Sequence, residues 1–318
     1  MNDLGLPDRP VLLDGGMGRE LRFRSVQISP HIWSASALVT APDVVRQIHV
    51  NYILAGADII TTNTYGVIRC NLAKEGIEGR FAELNLLACS LAREALDTTN
   101  RRIWIAGSLP PLHGSYRPDL VGEFEEIELL YREQAEMLAP HVDLLLCETM
   151  STALEARAAA SAACATGKPV WVSWTLHEDQ SGSLRSGEPI ADAVAALRDL
   201  KVAGFLANCS APERITSAVP RLLEAGADRT GGYANTLNPI PTTWKLSGKE
   251  KTDGVIALRS DLDPAQYAQH VSNWVSAGAN VIGGCCGTRP AHIATLYDQF
   301  IQHDCEPSAE FGPIGPMI

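Results

Sequence analysis

Two adjacent cysteines, Cys285 and Cys286, close an apolar run in the segment Gly-Gly-Cys-Cys-Gly-Thr at 283–288. A third, Cys209, closes a similar run in Gly-Phe-Leu-Ala-Asn-Cys-Ser at 204–210. If both runs are parallel strands of one sheet, their C-terminal ends bring three thiolates together. Three soft ligands without an evident fourth describe a zinc site with an open position, the design of a catalytic rather than a structural metal. Neighbouring strand residues point to opposite faces, so Cys285 and Cys286 share one ion only if the strand ends or kinks there. The glycines at 283, 284 and 287 permit that. Thiol redox chemistry is the competing use, but its Cys-x-x-Cys spacing is absent. Cys70, Cys89, Cys147, Cys164 and Cys305 read as core or structural residues.

Such a site needs a scaffold that gathers strand ends. Apolar runs without polar alternation, the mark of strands covered on both faces, occur at 11–15, 58–63, 103–108, 143–148, 170–176, 204–209, 231–235 and 280–285. Helical stripes lie between them, such as Phe81, Leu84, Ala88, Leu91 and Ala95, or Phe124, Ile127, Tyr131, Ala135 and Leu138. A recurring Ala-Gly-Ala, at 55–57, 225–227 and 277–279, places a helix-closing glycine just before a strand each time. Eight β/α units predict a single-domain (β/α)8 TIM barrel over 1–303, followed by an extended tail at 304–318. An open doubly wound sheet would use a Gly-rich nucleotide turn, and no Gly-x-Gly-x-x-Gly follows any of these runs. Long connections at 109–121, 177–188 and 236–262 would rise over the C-terminal mouth. The last of them is long enough to be a lid or an oligomer contact.

Composition narrows the partners. With 26 Lys and Arg against 37 Asp and Glu, the net charge of −11 repels phosphate backbones and excludes nucleic acid as a partner, while it tolerates cationic small molecules. No uninterrupted apolar run reaches membrane-spanning length, and the N-terminus does not read as a signal peptide. Eight cysteines in such a chain fit a reducing cytoplasm.

The strand ends would line one rim with Asp14-Gly15-Gly16, Thr62, Glu148, Cys209, Asn235 and the Cys285-Cys286 pair. From Asp-Gly-Gly-Met-Gly (14–18) to Gly-Gly-Cys-Cys-Gly-Thr (283–288), the chain resembles the homocysteine S-methyltransferase family. That resemblance implies a (β/α)8 barrel with Cys209, Cys285 and Cys286 as zinc ligands. It also implies Asp14 and Glu148 as receptors of the homocysteine amino group, and the Gly15 and Gly16 amides with Thr62 as receptors of its carboxylate. Asn235 is expected either to orient one of the acids or to cap a loop. The implied reaction joins L-homocysteine to a small cationic methyl donor: S-methylmethionine, betaine or S-adenosylmethionine. Trp33 is the leading candidate for a cation–π contact to the donor, ahead of Trp174 and Trp244. Tyr65 is read as rim packing. In the family, S-methylmethionine users often continue Cys-Cys with Arg-Thr; here Gly287-Thr288-Arg289 follows, which leaves the donor open. The competing class is a non-catalytic zinc or thiol-metabolite binding protein on the same barrel. A metal-dependent hydrolase would recruit histidines, and neither His-x-His nor His-Glu-x-x-His is present. Self-association is compatible with the long loop and tail.

Overall fold

A computed structural model describes residues 4–99, 101–179, 182–241 and 256–302. Eight strands pair in parallel: β1 (Val11–Leu12), β2 (Ile59–Thr61), β3 (Trp104–Leu109), β4 (Leu144–Met150), β5 (Val170–Trp174), β6 (Val202–Asn208), β7 (Arg229–Ala234) and β8 (Val281–Gly284). From β2 to β8 each strand pairs with its sequence neighbour, and β1 pairs with β8, in the ladder order β1-β8-β7-β6-β5-β4-β3-β2. A single bridge between Leu13 and Ile59 closes the ring. This is the predicted (β/α)8 barrel. Tail 304–318, Trp244 and most of the 236–262 loop lie outside the described residues. No helix among the described residues is long and apolar enough to cross a membrane.

The near-continuous apolar runs follow from two buried faces. Val11, Leu13, Ile59, Leu146, Trp171 and Val281 belong to the packing inside the barrel. Their neighbours Leu12, Ile60, Leu145, Val172 and Ile282 join the layer between strands and helices. Trp171 fills the interior because β6 offers Gly204 opposite it; a Cβ on Gly204 would lie 2.8 Å from Trp171 Cδ1. The helical stripe of Phe81, Leu84, Ala88, Leu91 and Ala95 is buried as its spacing predicts, on helix Phe81–Asp97. The three Ala-Gly-Ala segments also behave alike. Gly56, Gly226 and Gly278 take φ of 108°, 71° and 108°, left-handed values that stop a helix at low cost only at glycine.

The β1 expectation of 11–15 shortens to two ladder residues. Two backbone bonds cross the seam between β1 and β2, Asp58 N–H to Leu12 O at 2.7 Å and Asp14 N–H to Ile59 O at 3.0 Å, and carboxylates stitch it further. At its lower end, Asp58 accepts Leu12 N–H at 3.0 Å and a forked pair from Arg9 at 2.7 and 3.0 Å. At its upper end, Asp14 accepts Thr61 N–H at 2.8 Å and the Thr61 hydroxyl at 3.1 Å. Two aspartates thus supply bonds that a longer ladder would have made. Because Asp58 is buried, removing it strands a backbone donor and a guanidinium together. Asp58→Ala should therefore cost about 3 kcal/mol of unfolding free energy in urea titration; a loss below about 1 kcal/mol would show that the seam does not depend on it.

Candidate functional site

The cysteines converge at the C-terminal mouth although their strands are not neighbours. β7 lies between β6 and β8 and holds both sides: Cys209 N–H donates to Tyr233 O at 3.2 Å, and Cys285 N–H donates to Ala234 O at 2.8 Å. β8 ends at Gly284, and Cys285 opens a turn closed by Thr288 N–H on Cys285 O at 3.1 Å. Gly287 occupies the third position of that turn with φ of 89°, which is what brings Cys286 round beside Cys285. Cys209 itself has φ of 52°, so it leaves the strand line of β6 as well.

The result is a cluster in which the three Sγ atoms lie within 4.8 Å of one another. The Cys209–Cys285 separation is 3.1 Å and Cys209–Cys286 is 3.8 Å. Among the described residues, no other group of three or more Cys, His, Asp or Glu is close enough to hold a metal ion. Hydrogen bonds from Cys209 and Cys285, with the nearby Arg19 guanidinium, pull the Cys286 thiol well below its ordinary range. The same bonds and burial push Cys285 up. A cluster with one thiol ready to ionise and two neighbours in contact is chemically a soft-metal ligand set. Cys89 and Cys147 are buried core residues, as expected.

A cavity of about 380 Å³ opens over the cluster. All three cysteines line it, together with Asp14, Gly15, Gly16, Trp33, Thr62, Tyr65 and Glu148. Glu148 accepts from Ser108 Oγ at 2.5 Å and from Tyr233 Oη at 3.2 Å. The chain turns immediately after it, at Thr149 with φ of 62°. That turn is pinned by Asn208, whose amide bonds Thr149 N and Oγ1, each at 2.9 Å. Asn208, the first residue of Asn-Cys-Ser, therefore fixes the glutamate rather than the metal.

The two acids are poised by their surroundings. Burial raises Asp14 to about 8, opposed by the Thr61 hydrogen bonds and reinforced by the charge of Glu148. Burial raises Glu148 to about 7, opposed by Ser108 and Tyr233 and reinforced by Cys286. Burial thus favours the protonated form of both carboxyls, and a bound ammonium would favour their charged forms.

The remaining candidate residues divide between the cavity lining and the core. Thr62 lines the cavity, but its hydroxyl bonds Thr64 at 2.9 Å and accepts from Ser108 N at 3.1 Å. Gly16 N–H donates to Thr288 Oγ1 at 3.3 Å. Asn235 is buried and is not among the lining residues; its Oδ1 has no partner among the described residues. Trp33 reaches the cavity with the Arg22 guanidinium 5.3 Å from its ring centre. Trp174 is core, and Tyr65 bonds Ser115 at 2.7 Å on the rim.

Sequence reasoning missed Tyr116. Its hydroxyl lies 2.8 Å from Cys209 Sγ, its ring packs with Cys209 and Ile240, and Arg185 covers it at 5.5 Å. It comes from the loop after β3, where nothing in the local pattern marks it.

These features define a barrel with a cluster of three cysteines able to hold a metal ion, and a buried acid pair, at its C-terminal mouth. The chain belongs to the homocysteine S-methyltransferase family, whose model matches residues 11–300. It is 31% identical to the homocysteine S-methyltransferase of Escherichia coli (strain K12) over 309 residues, covering 90% of this chain and 94% of that one. The metallated form of the homocysteine methyltransferase MmuM from Escherichia coli matches it with a TM-score of 0.76 at 30% identity, covering 92% of this chain and 96% of that one. The apo form of MmuM matches with a TM-score of 0.67 at 28% identity, over 92% and 96% of the two chains. A metallated relative and a cluster of three cysteines together support a metal centre here.

Two predictions follow from this geometry. A carboxyl with a raised pKa in the folded state stabilises fully at low pH and loses that contribution as pH rises from its unfolded value toward the folded one. For Asp14 that window runs from 3.8 to about 8. In metal-free protein, Asp14→Asn should therefore gain melting temperature relative to wild type between pH 5 and pH 9, and parallel curves would contradict the assignment. Tyr116→Phe should weaken metal retention about 10- to 100-fold in competition with a chromogenic chelator; unchanged retention would make its contact with Cys209 incidental.

Proposed function

We propose that the protein is a cytoplasmic enzyme that transfers a methyl group from a small onium donor to the thiol of L-homocysteine, forming methionine, with zinc as its metal. S-methylmethionine, betaine and S-adenosylmethionine are the donors the reading admits. The observation that carries it is the convergence of three cysteine Sγ atoms and two buried carboxyls on one cavity. The named activity of the Escherichia coli relative supports the acceptor.

The donor set suits zinc. A tetrahedron with Zn–S bonds of about 2.3 Å has S···S edges of about 3.8 Å. Cys209 and Cys286 are already 3.8 Å apart, whereas the 3.1 Å between Cys209 and Cys285 must open on binding. When bound, zinc would hold the substrate sulfur as a thiolate at neutral pH, although a free thiol has a pKa of about 8.5.

The protein's own groups do the rest. Asp14 and Glu148 receive the substrate ammonium in their charged forms, which orients the amino acid with its sulfur toward the cysteines. The Tyr116 hydroxyl donates to Cys209 and keeps that ligand from swinging into the cavity. The Trp33 ring offers an aromatic surface to a sulfonium or quaternary ammonium. In the transfer, the homocysteine sulfur forms a bond to the methyl carbon as the donor's C–S or C–N bond breaks. The bonding pair leaves on a neutral sulfide or amine. The thiol proton has already departed, so no protein base acts in this step.

Zinc-loaded protein should produce methionine from homocysteine with at least one of the three donors. Cys286→Ser should lower that rate on the order of 100-fold or more, together with its zinc content. Saturable homocysteine binding without methionine from any donor would support a non-catalytic binding protein instead.

A further inference from the structure

Among the described residues, no carboxylate pairs with the Arg19 guanidinium. It sits on helix Met17–Phe23, is only 8% exposed, and lines the cavity beside the cysteines. Its described hydrogen bond goes to the backbone carbonyl of Ile256. The attractive charge acting on it is Cys286; Arg22 repels it, and burial lowers its pKa. Other arginines around this mouth are satisfied. Arg24 and Arg289 share Glu20 at 3.1 and 2.9 Å, Arg117 pairs with Asp119 at 2.7 Å, and Arg185 bonds the Ile240 and Pro241 carbonyls at 2.9 and 2.6 Å.

The counter-charge on offer is thus a thiol of the cysteine cluster, and the planar guanidinium fork matches a carboxylate better than it matches a metal-bound thiolate. Two of the three groups expected to receive a carboxylate are engaged within the protein. The Thr62 hydroxyl is bonded to Thr64 and Ser108, and Gly16 N–H is bonded to Thr288. Meanwhile the two acids serve only the positive end of an amino acid. A zwitterion seated on Asp14 and Glu148 brings an anionic end into the same cavity as Arg19.

We propose that Arg19 is a carboxylate receptor of this cavity, a forked guanidinium that selects carboxylate-bearing substrates over their carboxylate-free analogues. The inference rests on the methyl-transfer reading for the identity of those substrates. Homocysteine and the onium donors named above all carry a carboxylate, so the chemistry is shared and the source is decided by experiment.

The test compares wild type, Arg19→Gln and Arg19→Lys, each with its zinc content measured. In the acceptor arm, binding of L-homocysteine is set against 3-aminopropane-1-thiol by calorimetry. In the donor arm, the KM of the productive onium donor is set against trimethylsulfonium, as substrate or competitive inhibitor. Arg19→Gln should weaken the carboxylate-bearing member of one arm about 10- to 100-fold and leave its carboxylate-free partner near wild type. Arg19→Lys should recover part of that loss. The arm that loses its discrimination identifies which substrate Arg19 holds. Equal losses for both members of each pair, no loss in either arm, or a fall in zinc content with discrimination intact, would overturn the proposal; the last would mean that Arg19 only offsets the thiolate charge. If wild type forms no methionine from any donor, the functional reading fails, while the calorimetric arm still decides whether Arg19 recognises a carboxylate.

Discussion

β7 is the strand on which the metal centre depends. It carries no cysteine, yet its Tyr233 and Ala234 carbonyls hold the N–H groups of Cys209 and Cys285. The separation of β6 and β8 across it would keep the three thiolates apart in a flat sheet. Barrel curvature, a left-handed Cys209 and the turn at Gly287 bring them within 4.8 Å. The ligand geometry is therefore a property of closure, and closure rests on the thin β1–β2 seam. Asp58 and Asp14 hold that seam from its two ends.

Asp14 couples structure to chemistry because it does two jobs with one carboxylate. It replaces missing ladder bonds through Thr61, and it presents a raised pKa to the cavity. Glu148 is positioned at one remove, through Asn208, the residue next to a metal-ligand candidate. Movement of Cys209 and movement of Glu148 are thus linked through adjacent backbone. An acid pair whose pKa values burial raises, a cluster of three cysteines and a buried guanidinium share one cavity, where a zwitterionic guest would offset charges of both signs. Each of these groups is costly when buried alone, and the guest relieves more than one of them.

Much of this was legible in the chain. Eight apolar runs, three Ala-Gly-Ala helix stops and the cysteine positions announce the barrel and its cysteine cluster, because strand period, glycine stereochemistry and residue identity are local properties. Strand limits shifted where pairing rather than hydrophobicity decides them: 11–15 became Val11–Leu12, and 143–148 extended to Met150. What the sequence concealed depends on contacts between distant segments. Tyr116 meets Cys209 across 93 positions, and Arg19 looks like an ordinary helix charge until the fold buries it with no carboxylate paired to it among the described residues. The Thr62 hydroxyl, for which family resemblance implied a carboxylate role, also meets the Thr64 hydroxyl and the Ser108 N–H, contacts that only the packed loop creates.

The central claim is that the three cysteines hold zinc and leave one position for the substrate sulfur. Zinc X-ray absorption of the loaded protein, before and after L-homocysteine, tests it without reference to the methyl donor. The account predicts about three sulfur scatterers and one lighter atom at rest, rising to about four sulfurs when homocysteine binds. A sulfur count that does not change on homocysteine addition would contradict it.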